Sequence, residues 1–200
     1  MHNLFLLHWC LAGFFTFVAV FYTSLILLKK RNNRPVVSMG ARYSCHWWNH
    51  LTFRVFRSAI WLVCVAIACH PPALAVTLPF EWLLTPAVNW SGVALLLIGF
   101  VVAVGANFTL GAHWRSGIID SQQHQLVQKG LYSISRNPGY MGVALAQFGF
   151  LLALPSFFSL ICLLAGLHAL YRQTLLEEDF LSTRYPNQYP SYQRLVPRWI

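Results

Sequence analysis

The stretch HQLVQKGLYSISRNPGY, residues 124–140, decides how this chain is read. It is a long polar segment that carries Lys129, Arg136, two glycines and a proline, with extended apolar runs on both sides. It closes on residues suited to starting a helix. Asn137 is a good N-cap, and Pro138 fits the first helical position, where a missing N–H costs nothing. A polar segment pinned between apolar helices is where polar chemistry is expected.

The apolar runs place those helices in a membrane. Of the 200 residues 57% are hydrophobic and only 10% charged, against roughly 25% charged in a soluble domain. There is too little polar surface to cover a water-soluble globule. In a bilayer each backbone polar group must be satisfied within helices or a closed barrel, and continuous rather than alternating runs select helices. The expected fold class is therefore all-α: a polytopic, multi-pass integral membrane protein of about five transmembrane helices, forming one structural domain.

Downstream of residue 140, two apolar runs, 139–154 and 156–171, are separated by Pro155 and predict a tight antiparallel hairpin. Each is about 24 Å long at 1.5 Å per residue, short of a core of about 30 Å. A polar, aromatic tail follows over 172–200. Upstream, uncharged residues 4–28 are long enough to span and end at the basic stop KKRNNR, residues 29–34. Residues 39–50, with two tryptophans, suit the interface. A second span is expected over 51–70, with Arg54 and Arg57 reaching back to the surface, and a third over 90–110. Residues 1–110 then hold helices one to three, and 111–200 the loop, hairpin and tail.

The formal charge of +9 does not mark a nucleic-acid binder. With the N-terminus outside, all fourteen Lys and Arg residues fall on the inner side, the positive-inside pattern, so the tail and the central loop are expected to be cytoplasmic. The five cysteines lack C-x-x-C spacing, mostly lie in apolar runs, and read as small buried hydrophobes.

Several side chains are candidates for chemistry. Because the hairpin is tight, Asn137 at its start and the residues after 171 must be close in space. The tail offers Glu177, Glu178 and Asp179, the only acidic cluster in the chain; either the helix runs on past 180 or these acids have a task. Cys45, His46 and His50 have zinc-like spacing but no fourth ligand, so no metal is expected. His8 and His168 read as bundle-facing polar groups, and Tyr185, Tyr189, Tyr192 and Trp199 as interfacial aromatics or a lid.

HQLVQKGLYSISRNPGYMG, followed about forty residues later by LEEDFLSTRYPNQYPSYQRLVP, resembles the C-terminal half of the isoprenylcysteine carboxyl methyltransferases and their bacterial relatives. The family pattern runs H-x-L-V, G-x-Y, R-H-P-x-Y-x-G, a helical hairpin, E-E-x-x-L, then Y-x-x-Y and V-P. The resemblance covers about residues 110–200. It implies an enzyme that uses S-adenosylmethionine to methylate a lipophilic acceptor. That acceptor, an isoprenylcysteine carboxylate or another membrane-soluble substrate, would enter from the bilayer, with lipids as the other partners. It implies cofactor contacts from His124, Gln125, Leu126, Val127, Tyr132, Asn137, Pro138, Gly139, Tyr140 and Glu177, with the helix N-terminus at 137–139 facing the methionine carboxylate. No side chain is assigned as acid or base, since alignment of the reactants suffices.

Two positions depart from the pattern. Asn137 stands where the family has histidine, and Gln173, beside Arg172, stands where the carboxyl methyltransferases place a substrate-binding arginine. Arg172 and Gln173 are thus the substrate-site candidates. A membrane reductase using NADPH, of the sterol reductase type, and a non-catalytic membrane protein are the alternatives.

Overall fold

The computed structural model describes residues 2–31, 41–111 and 126–200. They form six α-helices: α1 (His2–Arg31), α2 (Cys45–Cys69), α3 (Pro86–Leu110), α4 (Pro138–Ala153), α5 (Phe157–Arg184) and the short α6 (Tyr189–Leu195). Short 3-10 turns at Pro71–Thr77 and Glu81–Leu83 join α2 to α3, and another at Gly130–Ser133 precedes α4. There is no β-strand among the described residues. The all-helical expectation holds, and α1, α2, α3 and α5 are long and apolar enough to cross a membrane. At 16 residues α4 falls short of that length.

Three boundaries differ from the sequence reading. α2 starts at Cys45 because Ser44 caps it, its side chain accepting from the Trp47 N–H, so the aromatic segment expected at the interface is already helical. α3 starts at Pro86, capped by Thr85. The third is α5, which outruns the apolar run near 171 and continues to Arg184, the run past 180 that the sequence left open. The residues after 171, TLLEEDFL among them, are mostly sound helix formers, so the loss of apolarity does not end the helix, and Gln173, Thr174 and Glu178 remain buried on it.

The helices form a closed ring in the order α1, α2, α5, α4, α3 and back to α1. The tightest pair is α3 against α4. A Cβ added at Gly92, Gly99, Gly142 or Gly149 would lie under 3 Å from backbone atoms of the facing helix. Four glycines, spaced seven apart on each helix, thus let the two backbones touch, the small-residue packing that membrane helices favour. Asn89 of α3 locks the far end by donating to the carbonyls of Leu152 and Ala153 at 3.2 and 3.4 Å. The α4–α5 hairpin turns on Leu154-Pro155-Ser156, where Ser156 and Ser159 form a reciprocal capping box. A second cluster, Tyr189, Tyr192 and Val196, seats the tail against Leu126, Leu181 and Tyr185.

The five cysteines are free. His8 is buried, whereas His168 is exposed on the outer face of α5, opposite to the bundle-facing expectation. No group of three or more metal-ligating side chains comes together among the described residues; His46 is engaged with α5 instead.

Candidate functional site

The ring encloses a cavity of about 590 Å³, within the range of small-molecule sites. Its lining runs from the start of α4 and the tail along α4 and α5. Its inner end is apolar, walled by Phe15, Ile60, Leu96, Phe150 and Leu163. Its outer end is polar, and there the segment 126–140 meets the tail.

Two carboxylates, adjacent in sequence, do different work at that end. One residue of helical rotation is about 100°, so Glu177 and Glu178 point apart. Glu178 is buried and holds the tail down. Arg198 grips it through two hydrogen bonds, Nε to Oε1 at 3.1 Å and Nη2 to Oε2 at 2.9 Å. Arg136 Nη2 lies 3.6 Å from Oε1, and Asn137 Nδ2 donates to the same oxygen at 3.1 Å. Paired with Glu178, the Arg198 guanidinium is held above its usual range, the hydrogen bond contributing more than burial takes away. The backbone follows: Arg136 N–H donates to Pro197 O at 3.0 Å, and Ser135 Oγ to Arg198 O at 3.1 Å.

Glu177 lines the cavity. Its Oε1 accepts from the Tyr140 hydroxyl at 2.5 Å and from Gln173 Nε2 at 3.0 Å. The Gln173 carbonyl is 3.2 Å from His46 Nδ1 and accepts from Asn49 Nδ2 at 3.5 Å. A polar chain thus runs from α4 through α5 to α2. Tyr132 faces the same space. Burial pushes its phenol well above the ordinary range, and the Glu177 charge adds to this, so it remains a neutral donor.

Asn137 occupies the N-cap position of α4 but makes no capping bond with its side chain. That side chain is spent on Glu178 and on Arg198 O, at 3.3 Å, which leaves the first turn of α4 without a side-chain cap. Arg136 is the notable addition. It lines the cavity, and among the described residues its Nε and Nη1 are buried with no hydrogen-bond partner.

Of the residues singled out in the sequence, Leu126, Val127, Tyr132, Asn137, Gly139, Tyr140, Gln173 and Glu177 all line the cavity. Pro138 is buried beside it, and Arg172 is not among its walls. His124 and Gln125 lie outside the described residues. Tyr185, Tyr189 and Tyr192 also line the cavity. Arg136 was given no role in the site, and Glu178 was noted only as a member of the acidic cluster, not as the anchor of the tail. Arg136 is the arginine of the R-x-P-x-Y block and Glu178 the second acid of the E-E pair, so their positions in those blocks were the available signal.

Four of the five helices in the ring are long and apolar enough to cross a membrane, and the cavity between them has a polar end and an apolar one, which defines the class as a helical membrane protein. A model of the phospholipid methyltransferase family matches residues 87–188, from the start of α3 through the whole hairpin. The chain belongs to that family, and it is a membrane methyltransferase. No curated protein and no solved structure matches it.

Proposed function

We propose that the protein transfers a methyl group from S-adenosylmethionine to a lipophilic acceptor, with the polar end of the cavity at the cytoplasmic face. The observation that carries this reading is the charge pattern of that polar end. Buried, unpartnered guanidinium donors on Arg136 and the uncapped first turn of α4 suit a carboxylate. Glu177 suits an ammonium or ribose hydroxyls. A zwitterion with a ribose, such as the cofactor, needs both kinds of group in one place, so the residues present fit it. Leu126, Val127, Tyr132 and Gly139 supply the remaining walls, and Gly139 leaves room for close approach.

The chemistry supplied by bound S-adenosylmethionine is an activated methyl group on a sulfonium. The protein's own task is then to align and to exclude water. The tail, strapped down through Glu178, packs at the polar end, and Tyr185, Tyr189 and Tyr192 line that end of the cavity. The ring of apolar walls receives the acceptor's tail, so its reacting group lies near Tyr140, Gln173 and Glu177, where polar and apolar walls meet. Gln173 carries no charge and is committed to Glu177 and His46, which favours an acceptor other than a prenylcysteine carboxylate. Arg54, Arg57, Lys129, Arg136 and Arg198 cluster toward the same end by sequence, which supports the cytoplasmic placement.

The test is calorimetric titration of detergent-purified protein with S-adenosylhomocysteine, with NADPH in parallel. Saturable binding of S-adenosylhomocysteine that Glu177→Ala abolishes is the expected result. Unchanged affinity in that variant overturns the site assignment, and binding of NADPH alone moves the chain to a reductase.

A further inference from the structure

Gln147 lies on α4 seven residues beyond Tyr140, two helical turns or about 10 Å further in, and it lines the cavity. Its Oε1 is buried without a hydrogen-bond partner, and no hydrogen bond to either end of its amide is made among the described residues. The amide sits against Gly166 of α5, where an added Cβ would overlap it. The absent side chain at 166 is therefore what gives the amide its seat. One turn further along each helix the wall is Phe150 and Leu163, both apolar.

An unpaired amide in such surroundings is costly, and polar side chains inside a membrane bundle are kept for function by default. We propose that Gln147 Oε1 accepts a hydrogen bond from the body of the lipophilic acceptor, from a hydroxyl or an amide N–H about 10 Å from the methylated atom. This deepens the methyltransferase reading and rests on it for placing the methylated atom near Tyr140 and Glu177. The acceptor is then a lipid whose body carries such a donor. A plain isoprenoid tail leaves the Gln147 amide unpaired and is disfavoured by that loss.

The test is native mass spectrometry of the full chain in detergent, with 1-oleoylglycerol as the oxygenated probe and squalene as the hydrocarbon one. Gln147→Leu is expected to weaken 1-oleoylglycerol binding about fivefold, the worth of one ordinary hydrogen bond, and to leave squalene binding unchanged. Gly166→Ala, which drives the amide from its seat, should act in the same direction. The lipid-free Gln147→Leu protein should melt at the same temperature or higher, because an unsatisfied amide has been replaced by an apolar group. Equal 1-oleoylglycerol affinities, a parallel loss of squalene, or a lower lipid-free melting temperature would each overturn the proposal. Titration of the same proteins with S-adenosylhomocysteine separates the two readings. Lipid discrimination without cofactor binding would sink the methyltransferase reading alone.

Discussion

Glu178 is the residue on which the tail depends. Replacing it with Ala leaves Arg136 and Arg198 facing one another with no counter-charge, and frees Asn137 Nδ2. Breaking a buried pair by removing one partner costs about 3–5 kcal/mol; because Arg198 is a third exposed, the low end, about 3 kcal/mol, is expected. Thermal unfolding of the detergent-solubilised variant measures it, and cleavage near residue 196 by a protease should become faster. Arg136→Leu separates anchoring from ligand binding. It removes the charge offered to the cofactor carboxylate, so S-adenosylhomocysteine affinity should fall at least tenfold, while Glu178 and Arg198 stay paired and the melting temperature falls much less than in Glu178→Ala. The sequence made Asn137 legible as a helix start and Tyr140 and Glu177 as cavity residues. That Asn137 would give up its cap to bind Glu178 was not legible, because the partner is 41 residues away and only the folded hairpin and tail bring it within reach.

At the scale of elements, the α3–α4 pair is set by its glycines. Gly99→Leu pushes a branched side chain into the backbone around Gly142 and Ala146, so the helices must separate. A loss of about 1–3 kcal/mol or more is expected from overpacking, read as a lower melting temperature. Gly13→Ala, on α1 with nothing within 4 Å of the new Cβ, serves as the control and should be neutral or slightly stabilising through helix propensity. The apolar runs that become α3 and α4 were plain in the sequence, but hydropathy does not say which glycines face a partner. Nor does hydropathy alone give the end of α5: the apolar run stops at 171, and the hydrogen-bonded ladder carries on for 13 further residues to Arg184, with Gln173, Thr174 and Glu178 still buried, the continuation past 180 that the sequence left open. That extension carries Glu177 and Glu178 onto the cavity and the tail anchor, so the boundary matters for function.

For the whole molecule, docking of the tail has a pH signature. Burial pushes the Tyr189 and Tyr192 phenols up to about 12 from their ordinary 10.0. In the unfolded tail they ionise near 10, so between pH 10 and 12 the unfolded state sheds protons that the folded state retains. Tail stability is intact below pH 10 and falls as pH rises through that window. Ultraviolet titration of the tyrosinates alongside Trp199 fluorescence should show release of the tail there, and the Tyr189→Phe/Tyr192→Phe double variant should lose most of that pH dependence.

Composition and run length by themselves determined that the chain is helical and membrane-embedded, because too few polar residues leave no other way to satisfy the backbone. The ordered motif blocks pointed to Leu126, Val127, Tyr132, Asn137, Gly139, Tyr140 and Glu177, which all line the cavity. Only the tertiary structure decided how they divide the work. Glu177 binds Tyr140 and Gln173 while Glu178, also on the cavity wall, holds Arg198 of the tail, and among the described residues Arg136 keeps two donors unpaired and Gln147 an empty amide against Gly166. The physical reason is that these roles depend on helix rotation and on contacts across dozens of residues, and a linear pattern encodes neither.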